Sequence, residues 1–133
     1  MSGCTLIALA ADEIIMDQDV ALGPLDLQIQ VGGAVCPAPS IIKVAKVKGN
    51  NTRDDMLVLA DIAENAISEI QSLIVKLLED KLGRDEALEV AKELIEGKYI
   101  HDYPITVEEV KKFGLNVKTE IPPLVAVLSF RFI

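Results

Sequence analysis

The chain has 133 residues, of which 50% are hydrophobic and 4% aromatic, and its formal net charge is −8. This length supports one domain with a core of Leu, Ile, Val and Ala, and the acidic balance argues against a nucleic-acid partner, because phosphate binding needs clustered Lys and Arg. No apolar run approaches the roughly 18 residues that a membrane-spanning helix requires, and the N-terminus lacks the basic region of a signal peptide.

The two cysteines, Cys4 and Cys36, show neither the spacing of a metal site nor a disulfide framework. This pattern favours a reducing, cytoplasmic location, and we expect neither a metal nor another cofactor. Abundant Lys, Glu and Ile, with no Trp, is typical of a thermophile.

The first predicted elements are short. Thr5–Ala11 is apolar nearly all round, which predicts a helix buried on most sides. Residues 13–17 and 20–23 predict two brief strands. The stretch 25–39, with Gly32-Gly33 and two prolines, predicts a long loop, and such loops often carry function.

The longest predicted helix begins at Thr52-Arg53-Asp54-Asp55, which resembles a capping box, and ends at Gly83. Its apolar positions repeat at alternating spacings of four and three, which predicts one apolar stripe about five turns long. The stripe comprises Leu59, Ala63, Ala66, Ile70, Leu73 and Leu77. It either faces the core, which we favour, or forms an interface between copies of the chain.

The remaining sequence predicts a second helix over 85–96 and a third, short helix that starts at the capping box Thr106-Val107-Glu108-Glu109 and ends at Gly114. Residues 115–117 predict a strand, and the apolar tail 124–133 is also strand-like. This order of elements predicts an α/β layered architecture, with helices packed on a small sheet.

The most informative motif is Ser2-Gly3, which opens directly into the first predicted helix. In a nucleophile elbow, a sharp turn exposes the serine hydroxyl, and the following helix points its N-terminal amides at the reacting centre. An elbow normally follows a strand, so we expect the chain to be the second half of an enzyme. Taken from the residues alone, a helix-capping role for Ser2 is the favoured interpretation.

Several stretches together resemble the serine dehydrogenase proteinase-like family, a branch of the ClpP/crotonase superfold that also holds SppA-type peptidases. The matching stretches are 1–14, 22–26, 39–43 and 101–106, followed by 113–115, in the family's order. The resemblance covers most of residues 1–117. It implies that residues 1–133 are a single domain, the C-terminal part of a ClpP/crotonase-like layered α/β fold that lacks its N-terminal strands and has a long helix after residue 52.

The resemblance implies a serine peptidase that cleaves peptide bonds through an acyl-enzyme. Carried over to matching positions, Ser2 is the nucleophile and the backbone N–H of Gly3 is an oxyanion donor. Lys43, 41 positions after Ser2, is the general base of a Ser-Lys dyad. Its apolar neighbours in sequence predict the burial that lets a lysine lose its proton near neutral pH, although a surface position for Lys43 stays open.

Some residues depart from the family pattern or invite a different interpretation. The family has a second glycine where this chain has Cys4, which we expect to be a small buried side chain rather than a reactive thiol. His101, beside Asp102, is expected in the loop that enters the third helix rather than in a catalytic triad. Asp26 is expected to be a turn residue rather than a group that orients a base. The tail after Lys118 does not match the acidic helical ending expected of the family.

Two other functions stay open at this point. The first is a catalytically inactive, oligomerising fragment of the same fold, and the second is a crotonase-like protein that binds acyl-CoA. The expected partners are a peptide or protein substrate and further copies of the chain. The resemblance implies that full-length members often carry an N-terminal membrane segment, so we expect that the location of a parent protein can differ from the cytoplasmic location expected for this chain.

Overall fold

The computed structural model describes residues 3–96 and 103–123. In chain order, the helices of this part are α1 Gly3–Ala10, α2 Ala38–Lys48, α3 Asp54–Leu82, α4 Arg84–Glu96 and α5 Val107–Lys112. The strands are β1 Ile14–Ile15, β2 Ala21–Leu22, β3 Gln28–Val31, β4 Ala34–Pro37, β5 Ile105–Thr106 and β6 Val117–Lys118. A short 3-10 turn, Gly49–Asn51, follows α2. The fold is therefore a mixture of helices and short strands, as the sequence predicts.

The described strands form three separate two-stranded sheets rather than the one small sheet that we expected. Strand β1 pairs in parallel with β6, whereas β2 pairs antiparallel with β5, and β3 antiparallel with β4. Two of these sheets join strands of only two residues from opposite ends of the chain. Such short ladders contribute little stability alone, so the helices must hold them in place.

The β1–β6 ladder fixes the segment that follows α1. The N–H of Ile14 donates to the carbonyl of Asn116 at 2.8 Å, and the N–H of Met16 donates to the carbonyl of Lys118 at 2.9 Å. The Lys118 ammonium lies 2.7 Å from the Glu13 carboxylate. This hydrogen bond, with the charge of Glu13, raises the pKa of Lys118. The ladder therefore joins residues 14–16 to residues 116–118.

The predicted loop over residues 25–39 is instead a β-hairpin followed directly by a helix, so that prediction was wrong. Gly32-Gly33 forms the two-residue turn between β3 and β4, and Gly32 has a φ of +59°, the left-handed value that such turns require. Pro37 is the residue that caps α2, and Pro39 lies in its first turn. Proline is tolerated there because the first N–H groups of a helix have no intrahelical acceptor.

Helix α3 packs against two apolar clusters along its length. Its C-terminal half, through Ile74, Val75 and Leu78, joins a cluster that includes Leu9 of α1 together with side chains of α4 and α5. Its N-terminal half joins a second cluster with α2. The second cluster consists of Ala38, Ile41, Ala45, Ala60, Ala63 and Ile67. One long helix thus holds α1 at one end and α2 at the other.

The predicted stripe on α3 is displaced from the side that is buried. Of its six members, only Ala63 is buried, and the Leu73 side chain is 41% exposed. The buried residues are Ala60, Ala63, Ile67, Ile74, Val75 and Leu78. The reason is that α3 carries apolar side chains around most of its circumference, and spacing alone does not indicate which part is covered.

The start of α3 also differs from the prediction. Arg53 is the N-cap residue, and its side chain makes no capping hydrogen bond. Thr52 is buried, and its hydroxyl donates to the Ala45 carbonyl of α2 at 3.2 Å. The threonine therefore joins two helices instead of capping one, a role that a local capping pattern does not reveal.

Other helix boundaries are confirmed. Gly83 follows the last residue of α3 with a φ of +84°, and Thr106 forms a reciprocal capping box with Glu109 at the start of α5. The predicted tail strand, 124–133, lies outside the described residues. In the described part of the chain, none of the helices combines the length and apolarity needed to span a membrane.

We expect Leu78→Ala to lower the free energy of unfolding by about 3 kcal/mol, because it empties a fully buried position between α3 and its neighbours. Leu57→Ala is the matched control, since the same side chain is 48% exposed on the same helix; we expect a loss below about 1 kcal/mol. Urea denaturation measures both. Equal losses would contradict the assignment of the core side of α3.

Candidate active site

The candidate site is the N-terminal end of α1, because the helix begins at Gly3, directly after the predicted nucleophile. Ser2 itself lies outside the described residues. Gly3 is exposed, and a Cβ placed there would meet no atom of the described residues within 4 Å, its chain neighbours and the backbone of its own helix aside. The first N–H groups of any α-helix lack intrahelical acceptors and carry the positive end of the helix dipole. The N–H groups at this end are therefore accessible to a ligand.

Cys4 is exposed on the first turn of α1, so the prediction of a small buried side chain was wrong. The prediction that α1 is buried on most sides was wrong as well. Thr5 and Leu9 are its buried residues, whereas the Ile7 side chain is 73% exposed. The helix therefore rests on the core along one side only, and the cysteine in place of a second glycine does not occupy the helix–core contact.

Thr5 anchors the first turn of α1. Its side chain is 1% exposed, and its hydroxyl donates to the carbonyl of Gly23 at 2.6 Å. Gly23 belongs to the stretch 22–26 that resembles the family. Two residues later, Leu25 is 1% exposed and lies in the same apolar cluster as Leu9. The Thr5 hydrogen bond therefore connects the candidate site to a fixed point of the core.

Lys81 anchors the opposite end of α1. From the last turns of α3, its ammonium donates to the carbonyl of Leu9 at 2.8 Å and to the carbonyl of Ala11. Carbonyls at a helix C-terminus lack intrahelical donors, and a cation there also complements the dipole. Sequence reasoning missed this contact, and no local signal could have found it, because the partners are 72 and 70 positions apart.

Lys43, the predicted general base, is exposed on α2. Its neighbours in sequence do not cover it, because successive helical residues point in different directions: Ile41 is buried and Ile42 half-buried, while Lys43 and Val44 face solvent. The apolar setting that the linear sequence predicts is therefore not present around this lysine.

The segment from Gly23 to Leu27 connects the regions that carry Gly3 and Lys43. At one end is the Thr5 hydrogen bond to Gly23, and at the other the Leu27 carbonyl accepts from the N–H of Ala38, the first residue of α2, at 2.8 Å. Leu27 itself packs against the cluster that α2 forms with α3. We call residues 23–27 the connecting segment, because it links the N-terminal ends of α1 and α2.

Asp26, within the connecting segment, accepts a hydrogen bond from the side-chain amide of Gln28 at 2.7 Å. This contact joins the connecting segment to the first residue of β3. The other predicted candidates, His101 and its neighbour Asp102, lie outside the described residues. Across residues 3–96 and 103–123, the His, Cys, Asp and Glu side chains form no cluster suited to a metal ion.

Comparison with known proteins identifies the family that the sequence matches. The model of the ClpP-like SDH-type serine proteinases matches residues 1–130, and so extends past Lys118, where the sequence alone suggested that the resemblance ends.

Two uncharacterized proteins of Methanocaldococcus jannaschii, MJ0137 and MJ1495, are 53% and 45% identical to the chain, over 123 and 122 residues. Each alignment covers 92% of this chain but only 42% and 40% of the relative, so the chain spans about two fifths of the length of these proteins. No solved structure matches the chain. Since the family model covers nearly every residue, the chain belongs to the ClpP-like SDH-type serine proteinase family.

Proposed function

We propose that the chain takes part in serine peptidase chemistry, with Ser2 as the nucleophile. The observation that carries the proposal is the family match over residues 1–130, which includes Ser2-Gly3 at the start of a helix whose N-terminal end is open to solvent. A hydroxyl before such a helix can attack a carbonyl whose developing oxyanion faces the helix amides.

The proposed reaction has two steps. The Ser2 hydroxyl loses its proton to a base while its oxygen bonds to the peptide carbonyl carbon, and the N–H of Gly3 donates to the oxyanion. The peptide C–N bond then breaks, the amine leaves with the proton from the base, and an acyl ester on Ser2 remains. Water hydrolyses this ester, which releases the acid and restores the hydroxyl.

We propose Lys43 as the base, with one condition. A hydrated lysine ammonium keeps its proton at neutral pH, whereas a lysine removed from water can release it. Because Lys43 is exposed on α2, a bound substrate or another polypeptide must cover it before it can act. Gly23 and Leu27, four positions apart, contact the first turns of α1 and α2, so one short segment joins the two helices that carry the proposed groups.

A second candidate function is a catalytically inactive, self-associating module. The observation that favours it is the row of large apolar side chains on α3 that solvent can reach, among them Val58 and Ile62, which are 59% and 48% exposed. Large exposed apolar side chains on one helix face are typical of an interaction surface. Self-association is compatible with either function, and we propose it for both.

We also propose a thermophilic origin. The abundance of Lys, Glu and Ile supports it, and so do the relatives in Methanocaldococcus jannaschii, a thermophilic archaeon.

The peptidase proposal predicts that a fluorophosphonate forms a covalent adduct with the folded 133-residue chain, and that the adduct maps to Ser2 by intact mass and peptide mapping. Ser2→Ala should abolish the adduct. Ser68→Ala, an exposed serine on α3, is the matched control and should label normally. A folded chain that does not label, or a Ser2→Ala variant that still does, would contradict the proposal.

The anchor at Thr5 predicts a separable effect on this reactivity. Thr5→Val leaves the Gly23 carbonyl unpaired and should cost about 1–3 kcal/mol of stability. Thr52→Val is the matched control, because it removes another buried hydroxyl that donates to a backbone carbonyl, far from α1 along the chain.

Both variants should be destabilised to a similar extent, and only Thr5→Val should slow the labelling of Ser2, by about tenfold, because misplacement of a reacting group is costly. Labelling rates that fall equally in the two variants would show that Thr5 acts through stability alone.

A further inference from the structure

The outer edge of α3 carries apolar side chains that no other described element covers. We define the outer ridge as Val58, Ile62, Ala66 and Leu73, which lie within about 80° of arc around the helix axis. Val58, Ile62 and Leu73 are 59%, 48% and 41% exposed, and Ala66 is half-buried. The centre of the ridge lies about 140° around the helix axis from the centre of the buried side of α3. Two of its members, Ala66 and Leu73, belong to the stripe predicted from the sequence.

The charges on the same arc have a definite order. Asp55 precedes the ridge, Glu69 lies within it, and Lys76 and Asp80 follow it, so most of the negative charge and the single lysine are separated along the helix. All four residues are exposed. A partner for the ridge must therefore match both the apolar row and this distribution of charge.

A second copy of the same helix matches the apolar row and the charges Asp55 and Lys76 at its two ends when it runs antiparallel. With a two-fold axis near Ala66, Val58 of one copy lies opposite Leu73 of the other, and Asp55 lies opposite Lys76 at both ends. In the same register each Glu69 lies opposite Ile62 of the other copy, and the two Glu69 residues are offset by about 10 Å along the helix direction. Ala66 lies at the crossing point, where a small side chain allows the helices to approach closely.

A parallel pair about a two-fold axis does not meet the requirement. It would place each charged residue opposite its own copy, so that Asp55 faces Asp55 and Lys76 faces Lys76, and like charges directly opposed are destabilising. The order of charge along the ridge therefore selects the antiparallel arrangement.

We propose that two copies of the chain associate through the outer ridge of α3, antiparallel, about a two-fold axis at Ala66. The inference rests on the proposed self-association and not on the proposed peptidase activity. Asp55 also pairs with Arg53 of its own copy at 2.7 Å, but this pair is exposed and exposed pairs contribute little. A single helix face buries less than the ~800 Å² per partner of a standard interface, so we expect a dimer of micromolar affinity.

Sedimentation equilibrium from micromolar to millimolar concentration tests the proposal. The unmodified chain should show a monomer–dimer equilibrium. Asp55→Lys and Lys76→Asp should each raise the dimer dissociation constant by about tenfold, because each change places like charges opposite each other twice. The double variant Asp55→Lys, Lys76→Asp should restore the original constant, because it exchanges the partners.

Glu64→Lys is the matched control, with the same reversal of charge on the opposite side of α3, about 170° away from the ridge. It should leave the dissociation constant unchanged. A monomer at every concentration would overturn both the ridge interface and the proposed self-association. If the chain dimerises but the ridge variants change the dissociation constant no more than Glu64→Lys does, the ridge interface would be overturned and self-association would stand.

Cross-linking gives a readout that does not depend on charge. In a Cys4→Ser, Cys36→Ser background, Ala66→Cys should form an intermolecular disulfide on mild oxidation, because the two-fold axis brings the two copies of residue 66 together. Glu64→Cys should remain monomeric in the same conditions. Cross-linking of Glu64→Cys in preference to Ala66→Cys would overturn the proposed interface. The peptidase proposal is tested separately, by fluorophosphonate labelling of Ser2.

Discussion

The burial of one side of helix α3 is the constraint on which the rest of the described structure depends. The helix has 29 residues and extends over about 43 Å. Its C-terminal half supports the cluster that contains Leu9, and its N-terminal half supports the cluster that contains Ala38. Strands of two residues and a helix of eight have little stability of their own, so contacts with α3 determine where they lie.

The candidate active site depends on this support through two polar contacts. The Thr5 hydroxyl ties the first turn of α1 to Gly23, and the Lys81 ammonium ties the last turn to α3. Both contacts use backbone carbonyls as acceptors, which keep their position better than side chains do. The N-terminal amides of α1 are thereby aimed in a fixed direction, which stabilisation of an oxyanion requires.

The features that could be predicted from the sequence are those that depend on local chemistry. Gly83 and the Thr106–Glu109 capping box mark helix boundaries because a positive φ and a reciprocal hydrogen bond depend on a few neighbouring residues. The family was also identified from local stretches, and the comparison confirms it. The Gly32-Gly33 hairpin was a local signal as well, but the nearby prolines obscured it.

The features that could not be predicted depend on partners distant in sequence. The burial of one particular side of α3 depends on where α2 and α4 pack. Lys81 reaches a carbonyl 72 positions away. Lys43 is exposed although apolar residues flank it, because a helix separates neighbours in sequence by about 100° of arc. The roles of Ser2 and Lys43 remain proposals that reaction chemistry must test.

The most direct test of the account is pre-steady-state kinetics of the 133-residue chain with a chromogenic peptide ester, with the acyl-enzyme followed by intact mass. If Ser2 is the nucleophile at the open end of α1, we expect a burst of about one product per active chain and a matching acyl adduct on Ser2. The absence of a burst from the folded chain, or an acyl adduct on another residue, would contradict the central claim.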